Sequence, residues 1–112
     1  MWKRTTSVAA MLLLLSFPSL PQLFNLRALD GVVTDKRGNT LPGAAVQLEN
    51  ANTLIVTSYI TGKDGHYHFN QLHDDIDYTV KAKYRNYWSS PKTLSKLDAS
   101  KHPSIDLIIP IE

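Results

Sequence analysis

The chain has 112 residues, a length that suits a single domain, and it contains no cysteine. Disulfide frameworks and thiolate metal sites are therefore excluded. The formal net charge is +2, from 12 Lys and Arg against 10 Asp and Glu, but Lys3, Arg4 and Arg27 all precede residue 29. Residues 29–112 thus hold nine basic and ten acidic side chains. That balance excludes the strongly cationic surface of a nucleic-acid-binding protein.

The first residues have the three-part layout of a secretory signal peptide. Lys3 and Arg4 form a positive end, and residues 8–17 form an apolar run that is short for a membrane span. Pro18 and Pro21 then prevent a continuous helix. An uncleaved membrane anchor and a buried N-terminal helix are the alternatives to a signal peptide.

The end of this leader is less well marked than its beginning. Ala28 is the best small residue for a cleavage site, although Leu26 stands where a small residue is preferred. We predict that residues 1–28 are a signal peptide and that residues 29–112 form the domain. The protein is then secreted or periplasmic.

The domain begins with two short alternating stretches. Residues 29–34 alternate apolar and polar positions, which predicts a first strand. Asp35 and Gly38 supply a turn, and Leu41-Pro42-Gly43 supplies a second bend. Residues 44–48 then alternate again and predict a second strand.

The next pair of strands is joined by a tight turn. Residues 54–61 are rich in β-branched side chains, which favour a strand, but both faces are partly apolar and the register stays open. Asp64-Gly65 turns the chain into a fourth strand. On that strand Tyr67 and Phe69 point one way and the neighbouring histidines the other.

The remaining segments complete the all-β pattern. Residues 71–77 predict a loop whose Leu72 plugs one end of the domain, and residues 78–84 give the cleanest alternation in the chain. Residues 93–97 predict a short edge strand, and residues 105–111 a last strand with alternating Ile and Leu. Six or seven short strands without helical periodicity predict an antiparallel two-sheet sandwich.

Two turn-and-strand cassettes resemble the carboxypeptidase regulatory-like domain family. These cassettes are GVVTDKRGNTLPGAAVQL over residues 31–48 and TGKDGHYHF over residues 61–69. The residues that match the family pattern are Gly31, Val33, Asp35, Gly38, Leu41, Pro42, Gly43, Ala44, Val46 and Leu48 in the first cassette, and Thr61, Asp64, Gly65, Tyr67 and Phe69 in the second.

The resemblance implies a seven-stranded antiparallel Greek-key β-sandwich of the transthyretin-like (prealbumin-like) type. It also implies an accessory module of an exported protein, without catalytic residues of its own. Two segments depart from the family pattern. The loop after Leu72 reads HDDID instead of carrying Pro and Gly, and Asn86 stands where the family commonly has Gly. We expect Asn86 to take the left-handed conformation at that turn.

An aromatic segment is the first candidate for a binding site. Tyr87 and Trp88, with Arg85 beside them, could stack on a sugar ring or anchor a protein partner. The alternative is that Tyr84 and Tyr87 fill the core and Trp88 covers its edge. A flat platform formed by Tyr87 and Trp88 would favour sugar binding.

A group of histidines and aspartates is the second candidate for a binding site, in this case for a metal ion. His66, His68 and His73 are weak candidates for Zn²⁺ or Cu²⁺ ligands, but they lack the tight spacing of a metal site. We therefore expect no metal there, and two exposed histidines on one strand face instead. The acidic loop at residues 74–77 has no Gly-punctuated Ca²⁺-binding pattern and is interpreted as solvated.

The sequence carries none of the common catalytic motifs. The chain has no G-x-S-x-G elbow and no cysteine nucleophile, and it does not end in the Tyr-Arg-Gly-Ser motif of the transthyretin-like hydrolase. We predict a non-catalytic interaction module without a cofactor, which binds a protein at the cell envelope. The alternative is a carbohydrate-binding module that uses the aromatic segment.

Overall fold

Residues 25–112 of the chain are described by a computed structural model, and their regular structure consists of strands. The strands are β1 (Leu26–Thr34), β2 (Ala45–Asn50), β3 (Val56–Ile60), β4 (His66–His73), β5 (Tyr78–Tyr84), β6 (Tyr87–Trp88), β7 (Lys92–Leu94) and β8 (Leu107–Ile108). Within these residues no helix has the length and apolar character needed to cross a membrane.

The strands form two sheets, which confirms the predicted β-sandwich. The smaller sheet has the order β4-β1-β8, and the larger has the order β3-β2-β5-β6. Strand β7 pairs with β5 on the side that β6 also occupies, so β6 and β7 are two pieces of one interrupted strand. Counted this way, the sandwich has seven strand positions. One pairing departs from the antiparallel expectation, because β1 and β8 run parallel.

The core lies between the sheets and consists of the alternating residues that the sequence pattern places inward. Burial of each Val, Leu, Ile or Phe side chain contributes about 1.5–3 kcal/mol to folding. The buried inward residues come from both sheets: Leu29, Val33, Val46, Leu48, Tyr67, Phe69, Val80, Ala82, Leu107 and Ile109. The inward-facing alternation of the last segment is therefore confirmed, although only Leu107–Ile108 forms a paired strand there.

Hydrogen bonds of Thr61 connect the two sequence cassettes. The buried Thr61 hydroxyl donates to the Leu41 carbonyl at 2.6 Å and accepts the Ala44 N–H at 2.9 Å. The Gly43 N–H donates to the Thr61 carbonyl at 3.0 Å. The bend that precedes β2 is thus held by a residue that follows β3, which brings the two halves of the family pattern together.

The Asp35 turn forms as the sequence predicts. Its carboxylate accepts the N–H groups of Arg37 and Asn39, each at 2.9 Å, and Gly38 takes a left-handed conformation with φ 87°. Burial raises the pKa of Asp35, but the hydrogen bonds from Asn39 and Arg37 outweigh it, so the pKa lies below its usual value. The charged carboxylate therefore organises the turn.

Several strand boundaries differ from the sequence expectation. Strand β3 begins at Val56 and not at residue 54, and β7 spans Lys92–Leu94 and not residues 93–97. Strand β4 runs to His73, so the loop expected over residues 71–77 begins only at Asp74. The reason is a β-bulge between Arg27 and Leu29 in the register with β4, where Gln71 has a φ of 59°. The bulge lets pairing continue, and Leu72 is buried at the end of the sandwich as expected.

Strand β1 begins at Leu26, upstream of the predicted domain boundary. Arg27, assigned to the leader from the sequence, is buried, and its guanidinium donates to the carbonyls of Ile76 and Ser95 at 2.9 Å and of Asp98 at 3.2 Å. The predicted signal peptide otherwise lies outside the described residues, and its cleavage stays a prediction.

Candidate interaction surface

The aromatic segment forms a tight hairpin at the end of β5. Tyr84 pairs with Tyr87, and Lys83 pairs with Trp88. The left-handed residue of the intervening turn is Arg85, with a φ of 58°, and not Asn86 as expected. The Arg85 guanidinium lies 5.1 Å from the centre of the Tyr84 ring. The left-handed backbone of Arg85 thus occurs together with stacking of its guanidinium on the Tyr84 ring.

Tyr87 and Trp88 point to opposite sides of the sheet, because neighbouring residues of a strand alternate. Both are exposed, at 49% and 39%. The Lys81 ammonium lies 4.5 Å from the Trp88 ring centre and the Lys83 ammonium 5.5 Å from it. The two rings therefore do not form one platform, and lysines already occupy a face of Trp88. This arrangement gives the carbohydrate-binding alternative less support than the sequence suggested.

A groove runs over the outer face of the larger sheet between β3 and the segment that joins β6 to β7. Its volume is about 280 Å³, and Val56 and Pro91 form its apolar parts. Glu49 and Lys81 also line it. Since these two charges have opposite signs, the groove selects neither an anion nor a cation.

The three histidines lie along β4 and do not converge. His66 and His68 share the outer face, whereas His73 lies at the far end of the strand beyond the bulge. His68 is paired through Nδ1 with Asp30 and through Nε2 with Asn70. Hydrogen bonding to Asp30 and then to Asn70 raises the pKa of His68 above its usual value, against a small opposing effect of burial. Within residues 25–112 no three His, Asp or Glu side chains are close enough to hold a metal ion.

Five of the ten exposed large apolar side chains within residues 25–112 lie in the edge strand β3 and the two residues before it. Every residue from Ala51 to Ile60 is exposed. Leu54, Ile55 and Ile60 are exposed at 66%, 65% and 61%, and Val56 and Tyr59 at 50% and 39%. The sequence predicted this strand from its β-branched residues, but it did not indicate that the strand lies at the edge of a sheet.

The other sheet edges carry features that discourage pairing with a further strand. Strand β4 carries the bulge at Gln71, β8 is two residues long, and Pro91 interrupts the edge formed by β6 and β7. Strand β3 has no charged residue, proline or glycine. Among the described strands, β3 is therefore the edge best suited to pair with another chain.

The fold and its cassettes define a transthyretin-like β-sandwich. The sequence model of the carboxypeptidase regulatory-like domain matches residues 28–109, most of the chain. The chain belongs to this family. No curated protein matches the sequence.

Solved structures share the fold at low sequence identity. The chain superimposes on BcpA, the major pilin subunit of Bacillus cereus, with a TM-score of 0.62 and 9% identity, over 78% of this chain and 30% of that chain. It superimposes on chlorocatechol 1,2-dioxygenase from Pseudomonas putida with a TM-score of 0.57 and 11% identity, over 79% and 61%. For the pilus 2b backbone protein of group B streptococcus the TM-score is 0.52 and the identity 17%, over 75% and 41%. This chain spans less than two thirds of the length of each of these proteins, and the likeness shows the fold alone.

Proposed function

We propose that this protein is an exported, non-catalytic module that binds another polypeptide through the free edge of β3. The observation that carries the proposal is the run from Leu54 to Ile60, which is rich in apolar side chains, uncharged and exposed at the edge of a sheet. An unprotected edge of this kind is a template for strand pairing.

The non-catalytic part of the proposal is supported by the family, whose domains serve as accessories of other proteins, and by the absence of nucleophile motifs in the sequence. The dioxygenases that share the fold are enzymes, but at 11% identity they lend this chain no activity. Export is supported by the signal-peptide pattern before residue 29. Three of the similar structures are pilus proteins, so this fold is used elsewhere in proteins that assemble into larger structures.

Photo-crosslinking in the producing cells tests the proposal. A photoreactive residue at Ile60, on the free edge, is compared with one at Thr93, an exposed position on β7. We expect a crosslinked adduct in the exported fraction from position 60 and a much weaker one from position 93. Equal yields from both positions, or no adduct from position 60, would contradict the proposed binding edge.

A further inference from the structure

We propose that the occupant of the β3 edge is a second copy of this chain, paired antiparallel about a two-fold axis that passes beside Ser58. This inference rests on the proposed function, because it assigns the partner of the same edge.

The direction of the β3 main-chain groups follows from the hydrogen bonds at the two ends of its pairing with β2. The Asn50 N–H donates to the Ile55 carbonyl, and the Thr61 N–H donates to the Ala44 carbonyl. Hydrogen-bonded pairs alternate along an antiparallel ladder. The groups of residues 55, 57, 59 and 61 therefore point toward β2, and those of Val56, Ser58 and Ile60 point outward.

The outward N–H and carbonyl groups of one β3 strand can hydrogen-bond to those of a second β3 strand. When two copies meet antiparallel with Ser58 opposite Ser58, Val56 of each copy lies opposite Ile60 of the other. The three N–H groups and three carbonyls of each edge then find partners, which makes six hydrogen bonds. The pairing uses all five residues of β3 and stops where Leu54 leaves the extended conformation with a φ of 63°.

The side chains agree with this register. Val56 and Ile60 are β-branched residues on the outer face, and such cross-strand pairs stabilise a sheet. Thr57 of each copy meets Tyr59 of the other on the opposite face. No like charges oppose each other, because β3 has no charged residue.

The net charge of the domain favours association with a second copy of the chain over association with a strongly charged partner. Lys3 and Arg4 are the basic residues outside residues 25–112, which leaves ten basic and ten acidic side chains within that range. A domain of zero net charge does not repel its own copies at long range.

The size of the exposed edge sets the strength of the dimer. Exposed apolar patches on single proteins span roughly 300–600 Å², whereas a standard interface buries about 800 Å² on each partner. Pairing through β3 alone therefore gives a weak dimer. It forms as the protein concentration rises and is not permanent.

Single cysteines test the register, since the chain has none of its own. Residues that form a hydrogen-bonded pair have Cα atoms about 5.5 Å apart, within the range of a disulfide. The Ser58→Cys variant should therefore crosslink to itself under mild oxidation. In the Thr57→Cys variant the two thiols occupy diagonal positions about 7–8 Å apart and should crosslink poorly. Ser90→Cys, at an exposed position on the opposite edge of the sheet, reports random collision.

The variants are purified in the form that the cells accumulate, with the N terminus of each identified by mass spectrometry. We expect Ser58→Cys to form the covalent dimer at least about tenfold faster than Ser90→Cys at equal concentration, because pairing raises the local thiol concentration. Faster crosslinking by Thr57→Cys than by Ser58→Cys would overturn the register. Equal rates for Ser58→Cys and Ser90→Cys would overturn the dimer.

Sedimentation of the unmodified protein gives an independent measure. We expect the average mass to rise toward that of a dimer across a concentration series, and Ser58→Lys to remain monomeric with the same melting temperature, because two ammonium groups would meet at the axis. A monomer at every concentration would overturn self-pairing. If position 60 nevertheless crosslinks to a different protein in cells, the proposed function stands and only the identity of the partner fails.

Discussion

The Tyr67 ring crosses directly over Gly31 on the neighbouring strand, and its hydroxyl donates a hydrogen bond to the Ile105 carbonyl at 2.6 Å. Burial, together with the nearby carboxylates of Asp106 and Asp30, raises the pKa of Tyr67, so the hydroxyl stays protonated and available as a donor. Tyr67 thereby links β4 to the segment that precedes β8 across the width of the smaller sheet.

This crossing predicts that residue 31 must be glycine. A Cβ at Gly31 would lie 1.8 Å from the Ile105 carbonyl oxygen and 2.4 Å from Cε2 of Tyr67. We expect Gly31→Ala to lower the free energy of unfolding by about 3 kcal/mol or more, because the contact with backbone cannot relax by a side-chain rotation. Urea denaturation measures the loss.

Gly62→Ala is the matched control, since a Cβ at residue 62 meets no atom within 4 Å and the glycine is not in the left-handed region. We expect this variant to change stability by less than about 0.5 kcal/mol. If Gly31→Ala folds too poorly to measure, Tyr67→Phe should still show a loss of about 1 kcal/mol from the missing hydrogen bond. Equal stabilities of Gly31→Ala and Gly62→Ala would contradict the described crossing.

Arg27 predicts both a stability effect and the position of the mature N terminus. Its buried guanidinium holds three carbonyls, two of them from the segment after β7. Arg27→Met keeps the length of the side chain but leaves these acceptors unpaired, so we expect a loss of about 2–4 kcal/mol in urea denaturation. Arg37→Met, at an exposed turn residue, should cost less than about 0.5 kcal/mol.

Cleavage after Ala28 would remove Arg27 from the fold. We therefore expect the intact mass of the exported protein to place its N terminus at or before Leu26. A mass that corresponds to a chain starting at Leu29 and that retains full stability would show that Arg27 is dispensable.

The start of β1 shows which features of the fold could be predicted from local sequence patterns and which could not. The alternation at Leu29, Gly31 and Val33 predicted which face of β1 is inward, and Arg27 continues that alternation by one step. Its charge and its proximity to an apolar leader favoured the leader assignment, because an arginine is rarely buried unless partners satisfy it. Those partners are carbonyls 49 to 71 residues away in the sequence, which no local pattern indicates.

The position of β3 at the edge of a sheet likewise depends on contacts between residues far apart in the sequence. The β-branched composition of residues 54–61 predicted a strand, but its place at the end of the sheet depends on the order β3-β2-β5-β6, which is a long-range property. The aromatic segment was visible in the sequence, but the alternation that separates Tyr87 from Trp88 becomes clear only once β6 is known to be a strand. Local turn chemistry therefore predicted the sandwich better than the edge at which we propose that it binds.

The Asp30–His68 pair predicts a pH dependence of stability. The pKa of His68 in the folded protein lies above its usual value of 6.5, so the folded state binds the proton more tightly than the unfolded state. The contribution of the pair is complete below that usual value and is lost as the pH rises through the folded-state pKa. We expect Asp30→Asn to abolish this decline and to lower the pKa of His68, as measured by an NMR titration.

Asp64→Asn, which changes an exposed turn carboxylate, is the control for the charge change. It should leave both the His68 titration and the pH dependence of unfolding as they are in the unmodified protein. An unchanged His68 pKa in Asp30→Asn would mean that the pair does not form in solution.

Thr61 predicts how much the two cassettes depend on each other. Its hydroxyl donates to Leu41 and accepts from Ala44 in a buried position, and valine has the same shape without either function. We expect Thr61→Val to lower the free energy of unfolding by about 1–3 kcal/mol, because it leaves a buried donor and a buried acceptor without partners. Thr61→Ser retains the hydroxyl and should recover most of that loss.

Thr57→Val repeats the same chemical change at an exposed position of β3 and should be close to neutral in thermal denaturation. If Thr61→Val and Thr57→Val melt together, the hydroxyl does not hold the bend before β2, and the spacing of the two cassettes requires another physical cause.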